Sequence, residues 1–199
     1  AAGCAGMKIG LTGGIGSGKS TVLNLLEEKG LPTLSTDAVA HTVLAEDREA
    51  RRGIREAFGE RVFAEDGEID RARLARHVFG QRKNLEKLER ILHPRVRDHW
   101  LSWVRKQGAR SCVVEIPLLF EKCLEKNFEV TLCISTSLPV SLSRLEARGL
   151  SQEQARARMD RQLPIAEKCR RADYVISNNG SLSFTRLQID RLGAALNLF

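Results

Sequence analysis

Residues 13–20, Gly-Gly-Ile-Gly-Ser-Gly-Lys-Ser, fit the pattern G-x-x-x-x-G-K-[ST]. Such a run does one chemical job well. Glycines reach backbone conformations closed to other residues, so successive N–H groups turn inward and donate to phosphate oxygens. The start of a following helix adds the positive end of its dipole. In this pattern Gly13, Gly14, Ile15, Gly16, Ser17 and Gly18 form the cradle. Lys19 reaches the β- and γ-phosphates, Ser20 binds Mg²⁺, and Thr21 donates to the α-phosphate side. The ligand expected is a nucleoside triphosphate.

Binding leaves the reaction open, because glycine loops of this kind serve kinases, GTPases and motor ATPases. The sequence has no N-K-x-D, the guanine-reading motif, so a kinase acting on a small molecule is expected. Such an enzyme needs a group that draws the proton from the acceptor hydroxyl. Asp37 follows the second strand and is either that base or the N-cap of a helix beginning at Ala38. Glu115, at the end of "CVVEI", is either an acid near the metal, binding directly or through water, or a solvent-facing strand end. Arg144 and Arg148 lie four apart, a spacing that lets both guanidiniums approach one anion on a helix face. Arg156, Arg158 and Arg161 follow on the next helix. These arginines either offset charge on the transferring phosphoryl or form an exposed basic surface.

Several elements must position these groups. Lys8 to Leu11 is a β-prone run, and Val22, Leu25 and Leu26 recur at helical spacing until Gly30. Leu31 to Ser35 forms a second strand, and this βαβ unit predicts parallel pairing. From Asp37 to about Gln107 the pattern is helical, with a turn at Asp66-Gly67 and Asp70 set to cap the next helix. One helix runs to His93-Pro94, and a second, carrying Trp100 and Trp103 as packing residues, begins after the proline and ends at Gly108. Strands resume at 112–116 and 130–134, apolar enough to be buried on both faces. Ser137 caps a helix to Arg148. "SQEQ" at 151–154 has capping-box spacing and opens an Arg-rich helix that Pro164 ends. "DYVIS" at 173–177 is a last strand, "NNG" at 178–180 a turn, and a closing helix follows. The fold class is α/β, a parallel sheet flanked by helices.

Composition narrows the partners. With 42% hydrophobic and 29% charged residues in 199, the chain has the balance of an ordinary globular domain. No apolar run reaches the roughly 18 residues of a membrane helix. Five scattered cysteines, none in C-x-x-C spacing, and four histidines without metal-ligand spacing argue against a disulfide framework or a transition metal. A reducing cytoplasm is the expected location. Residues 1–6, ahead of Met7, have neither a basic start nor an apolar stretch and are treated as an appended remnant or upstream extension. The net charge of +7 suits anionic partners. Nucleic acid is not expected, for want of an aromatic-basic RNP signature or a DNA-reading module.

With these residues laid out, the chain resembles the dephospho-coenzyme A kinase family from about Met7 to the final helix. The resemblance rests on "GLTGGIGSGKST" at 10–21, "STDAVAH" at 35–41, "LHP" at 92–94, "EIPLLFE" at 115–121, "RLEARGLS" at 144–151, "RQLPIAEK" at 161–168 and "ADYVISNNGS" at 172–181. It implies transfer of the γ-phosphoryl of ATP, with Mg²⁺, to the ribose 3′-hydroxyl of dephospho-CoA. It also implies a P-loop core (7–37, 108–144 and 172–199), a helical acceptor-binding insertion (38–107) and a small lid (145–171) bearing Arg148 and Arg158. By the same resemblance Asp37 matches the base and acts with Lys19 in catalysis. His93 and Leu118 of "PLLFE" fall at the acceptor site, and Arg144 and Asn179 at the ATP site. Family members often read D-A-D where this chain has Ser35-Thr36-Asp37, so nothing essential is assigned to Ser35.

Overall fold

The computed structural model describes residues 6–78 and 81–199; the remnant expected at residues 1–6 falls, except for Gly6, outside them. Five parallel strands, β1 (Lys8–Gly13), β2 (Thr33–Ser35), β3 (Cys112–Glu115), β4 (Val130–Ser135) and β5 (Tyr174–Ser177), form one sheet in the order β2-β3-β1-β4-β5. The chain divides into two compact units, one of Thr36–Arg105 and one of the residues up to Ser35 with Lys106–Phe199.

The sheet unit is built around β1, β3 and β4. Ile9, Leu11, Val113, Leu132 and Ile134 are buried, and α1 (Lys19–Glu28) packs Val22, Leu25 and Leu26 onto them from one side. The same core takes Ile189 and Leu192 of α9 (Leu182–Leu196). The βαβ expectation needs one correction: β1 and β2 run parallel but are not neighbours, because β3 lies between them. All four residues of β3 are buried, whereas the three of β2 are only half-buried. The fully buried run takes the interior slot and the short one the edge.

The second unit is helical: α2 (Thr36–Glu46), α3 (Arg48–Phe58), α4 (Arg71–Val78) and α5 (Arg82–Lys106). Its core gathers Ile54, Phe58, Val62, Phe63, Leu74 and Val78, with Leu88, Ile91 and Leu92 against it. Asp70 caps α4 as expected, accepting from the Arg73 N–H at 2.9 Å. The break expected at Pro94 does not form, and α5 runs through it. Proline removes one intrahelical hydrogen bond and crowds the carbonyl of Arg90. Pro94 is exposed, so water can satisfy that carbonyl, and the helix formers on both sides carry the helix across. Trp100 is buried, as a packing residue should be.

Between β4 and β5 lie α6 (Leu138–Glu146), α7 (Gln152–Met159) and α8 (Ile165–Arg171). The capping box forms at α7, with Ser151 and Gln154 each satisfying the other's backbone N–H. Pro164 does not end α7, which stops at Met159; it is the N-cap of α8, a helix that sequence periodicity did not suggest. Its fixed φ suits the entry to a helix better than the exit.

Among the described cysteines, Cys112 and Cys133 are buried in the sheet and Cys123 is exposed. Burial pushes both buried thiols up; at Cys133 the Cys169 thiol, 3.8 Å away, adds to the effect. Since the thiolate is the reactive form, maleimide should label Cys123 in the native protein on the order of 100-fold faster than Cys112 or Cys133. Mass spectrometry of timed digests checks this, and equal rates would contradict the burial.

Candidate active site

Strand β1 ends at Gly13, at the carboxyl edge of the sheet, between β3 and β4. The chain order along the sheet reverses across β1, which is where open α/β sheets place their ligand crevice. Beyond it the loop turns back through Gly16 (φ 76°) and Gly18 (φ 84°), and the Ser17 N–H donates to Gly14 O at 3.2 Å. Gly18 is the N-cap of α1, and with no side chain it leaves the first-turn amides of that helix uncapped; no acidic residue stands in that turn. In contrast α3, α7 and α9 are capped by Asp47, Ser151 and Ser181. Only α1 among these four helices presents open N–H groups and the undiluted positive end of its dipole, the requirement for holding phosphate. Lys19 folds back over the loop, Nζ donating to Gly14 O at 3.1 Å and Gly13 O at 3.4 Å.

The far side of the loop is braced by residues more than a hundred positions away in sequence. Ser17 O accepts from Asn178 Nδ2 at 2.8 Å, Thr136 Oγ1 at 3.0 Å and Arg144 Nη1 at 3.2 Å. Arg144 also donates to Gly16 O at 3.4 Å and, through Nη2, to Asn178 O at 2.9 Å; Thr185 Oγ1 donates to Asn178 Oδ1 at 3.0 Å. Ile15 joins the apolar cluster of Leu142, Leu145 and Ala155, which ties the loop to α6 and α7. One expectation changes here. Arg144 and Arg148 do not share a helix face, because α6 ends at Glu146; Arg144 holds loop carbonyls and Arg148 is exposed. Of the two asparagines in the "NNG" turn, Asn178 reaches the loop, while Asn179 Oδ1 accepts from the Ser137 N–H at 2.6 Å. Adjacent identical residues offered no signal to separate them; burial does, Asn178 being buried and Asn179 exposed. Nor did any motif single out Thr136.

Packing at Gly18 is close enough to test. A Cβ there would lie 2.2 Å from Asn178 Nδ2, on a left-handed backbone. Gly18→Ala is expected to cost about 1–3 kcal/mol of stability and to weaken ATP binding by displacing Asn178 from Ser17. Urea unfolding and nucleotide titration read the two effects, and a variant unchanged in both would contradict the brace.

The remaining expected residues fall as follows. Ser20 and Thr21 are exposed in the first turn of α1. Glu115 is the last residue of β3, 6% exposed, in register with Leu11 of β1 and with Ser35 of β2. Ser35 is therefore the cross-strand neighbour of this carboxylate. Leu118 is half-buried in the turn after β3, and Arg158 is half-buried near the end of α7. In the helical unit, Asp37 is exposed in the first turn of α2. The helix starts at Thr36, so Asp37 is inside it and is not its N-cap. His93 is exposed on α5. Hydroxyl and carboxylate oxygens suit Mg²⁺, which takes one or two protein ligands and completes its shell with phosphate and water. Ser20 and Glu115 carry oxygens of these two kinds, and no cluster of three or more metal-ligating side chains exists among the described residues. Among those residues, no helix is long and apolar enough to cross a membrane.

A glycine loop on the central strand of a five-stranded parallel sheet, leading into an uncapped helix with its lysine folded over the loop, defines the chain as a P-loop nucleotide-binding protein. The family model for dephospho-CoA kinase matches residues 7–183. A dephospho-CoA kinase of Geobacillus kaustophilus is 42% identical over 187 residues, covering 92% of this chain and 93% of the relative. Among solved structures, a Thermus thermophilus protein superposes with a TM-score of 0.81 at 38% identity, covering 96% of this chain and 98% of the other. The dephospho-CoA kinase of Campylobacter jejuni does so at 0.68 and 28%, with the same coverage. The chain belongs to the dephospho-CoA kinase family.

Proposed function

We propose that this chain transfers the γ-phosphoryl group of ATP to the ribose 3′-hydroxyl of dephospho-CoA, giving coenzyme A and ADP, the last step of coenzyme A biosynthesis in the cytoplasm. The observation that carries this is the open N-terminus of α1 beneath Lys19, in a chain of this family. The triphosphate lies along the loop amides of residues 13–18, with Thr21 at the α-phosphate. Lys19 exchanges its bonds to the Gly13 and Gly14 carbonyls for β- and γ-phosphate oxygens. Ser20 and Glu115, the latter directly or through water, would hold Mg²⁺, which would neutralise charge on the phosphate oxygens. Asp37 receives the proton of the 3′-hydroxyl as that oxygen bonds to phosphorus and the bond to the ADP oxygen breaks. Arg144 and Asn179 act on the ATP side, the first by keeping the loop carbonyls turned away from the phosphates. His93 and Leu118 contact the acceptor, and Arg148 and Arg158 belong to a lid over residues 145–171 that excludes water from the reacting groups.

A coupled ADP-release assay over a panel of acceptors tests the assignment. Dephospho-CoA is expected to support turnover at least about 100-fold above AMP, dTMP or shikimate, since remote contacts to the acceptor supply the orientation that drives the step. Comparable rates with AMP or shikimate would make the chain a kinase of another small molecule.

A further inference from the structure

Lys168, on α8, is 0% exposed, an unusual place for an ammonium. Nζ donates to Pro117 O at 2.7 Å and to Glu121 Oε1 at 2.9 Å. Both acceptors are shared. Pro117 O also accepts from Thr12 Oγ1 at 3.1 Å, and Glu121 Oε1 from the Leu163 N–H at 2.9 Å. Four stretches of chain therefore meet at one charge: β1 just before the glycine loop, the segment that leaves β3 after Glu115, the backbone leading out of α7, and α8.

Stability alone does not explain this joint. Withdrawing both ions from water is costly, and pairs like it can often be replaced by apolar residues with no loss of stability. Glu121 is also poorly served, since its buried Oε2 has no hydrogen-bond partner among the described residues. A charged joint supplies direction, which an apolar contact does not. Each bond fixes one carbonyl or one N–H in a single orientation. Here the oriented groups are the Pro117 carbonyl, two residues beyond Glu115, and the Leu163 amide, five residues beyond Arg158.

We propose that Lys168, acting with Glu121, is a positioning residue for phosphoryl transfer. It fixes the segment that follows Glu115 and the segment that carries Arg158 against the strand that delivers the glycine loop. The inference rests on the kinase assignment above and deepens it. The loop itself keeps its own braces at Asn178, Thr136 and Arg144, so ATP binding does not depend on Lys168.

The test compares the full-length parent with Lys168→Met and with Lys168→Met combined with Glu121→Leu. The double variant removes both charges, so no carboxylate is stranded. Each protein is assayed for ADP release with dephospho-CoA at roughly 15 °C below its own melting temperature, where unfolding does not enter the rate. Both variants are expected to lose about 10–100-fold in kcat, with KM for ATP within about threefold of the parent. A loss of less than about tenfold in kcat for the double variant would overturn the proposal and leave the pair a packing device. So would a defect confined to KM for ATP. Failure of the kinase assignment looks different: the parent itself would then release no ADP in the presence of dephospho-CoA.

Discussion

Asp37→Asn is expected to bind ATP as the parent does and to turn over about 10²–10⁴-fold more slowly, a loss of roughly 2.7–5.4 kcal/mol in transition-state stabilisation. The amide keeps the size and polarity of the carboxylate but cannot take the proton of the acceptor hydroxyl. Asp37 belongs to the first turn of α2 and leaves Ser35 by only two residues. A carboxylate there gains from the helix dipole, but the substitution removes that gain without disturbing the glycine loop. The measurement is pre-steady-state phosphoryl transfer at saturating ATP and dephospho-CoA, with nucleotide affinity determined separately by titration. Turnover within a few-fold of the parent would remove Asp37 from the chemistry and leave it a helix-start residue.

Lys19→Ala is expected to damage binding and turnover together. Its ammonium lies on the carbonyls of Gly13 and Gly14, the inner lip of the loop. In the proposed reaction it is the charge that moves onto the phosphates when they arrive. Removing it takes away an interaction made in the ground state and strengthened as charge develops on the leaving oxygen. Loss of a single preorganised donor of this kind costs about 10²–10³ in kcat, and KM for ATP should rise as well. Unchanged steady-state parameters would exclude the role. The two variants should differ in one diagnostic respect, since only Lys19→Ala weakens ATP binding.

The parts of this molecule that could be read from its sequence are those where local chemistry leaves few alternatives. Gly16 and Gly18 take backbone angles that side chains resist, and Gly18 must also clear Asn178, so the loop motif and its structure coincide. Asp70 and Ser151 cap helices because each makes a bond within three residues of itself. Long-range pairings carried no such signature. The slot of β3 beside β1 depends on the burial of whole strands against one another. The brace on Ser17 O joins residues more than a hundred positions apart, and Lys168 meets Pro117 and Glu121 across about fifty. At Pro94 a local rule gave the wrong answer: exposure made the lost hydrogen bond cheap enough for α5 to continue. Asn178 and Asn179 mark the same limit, since nothing in an Asn-Asn pair states which side chain turns inward.

The transfer itself is tested most directly by where the phosphate goes. Incubating the purified chain with ATP, Mg²⁺ and dephospho-CoA and recording the phosphorus NMR spectrum of the isolated product should reveal one new phosphomonoester, on the ribose 3′-oxygen, formed in step with ADP. A phosphate on any other oxygen, or ADP released with dephospho-CoA recovered intact, would contradict a loop and base arranged to phosphorylate that hydroxyl.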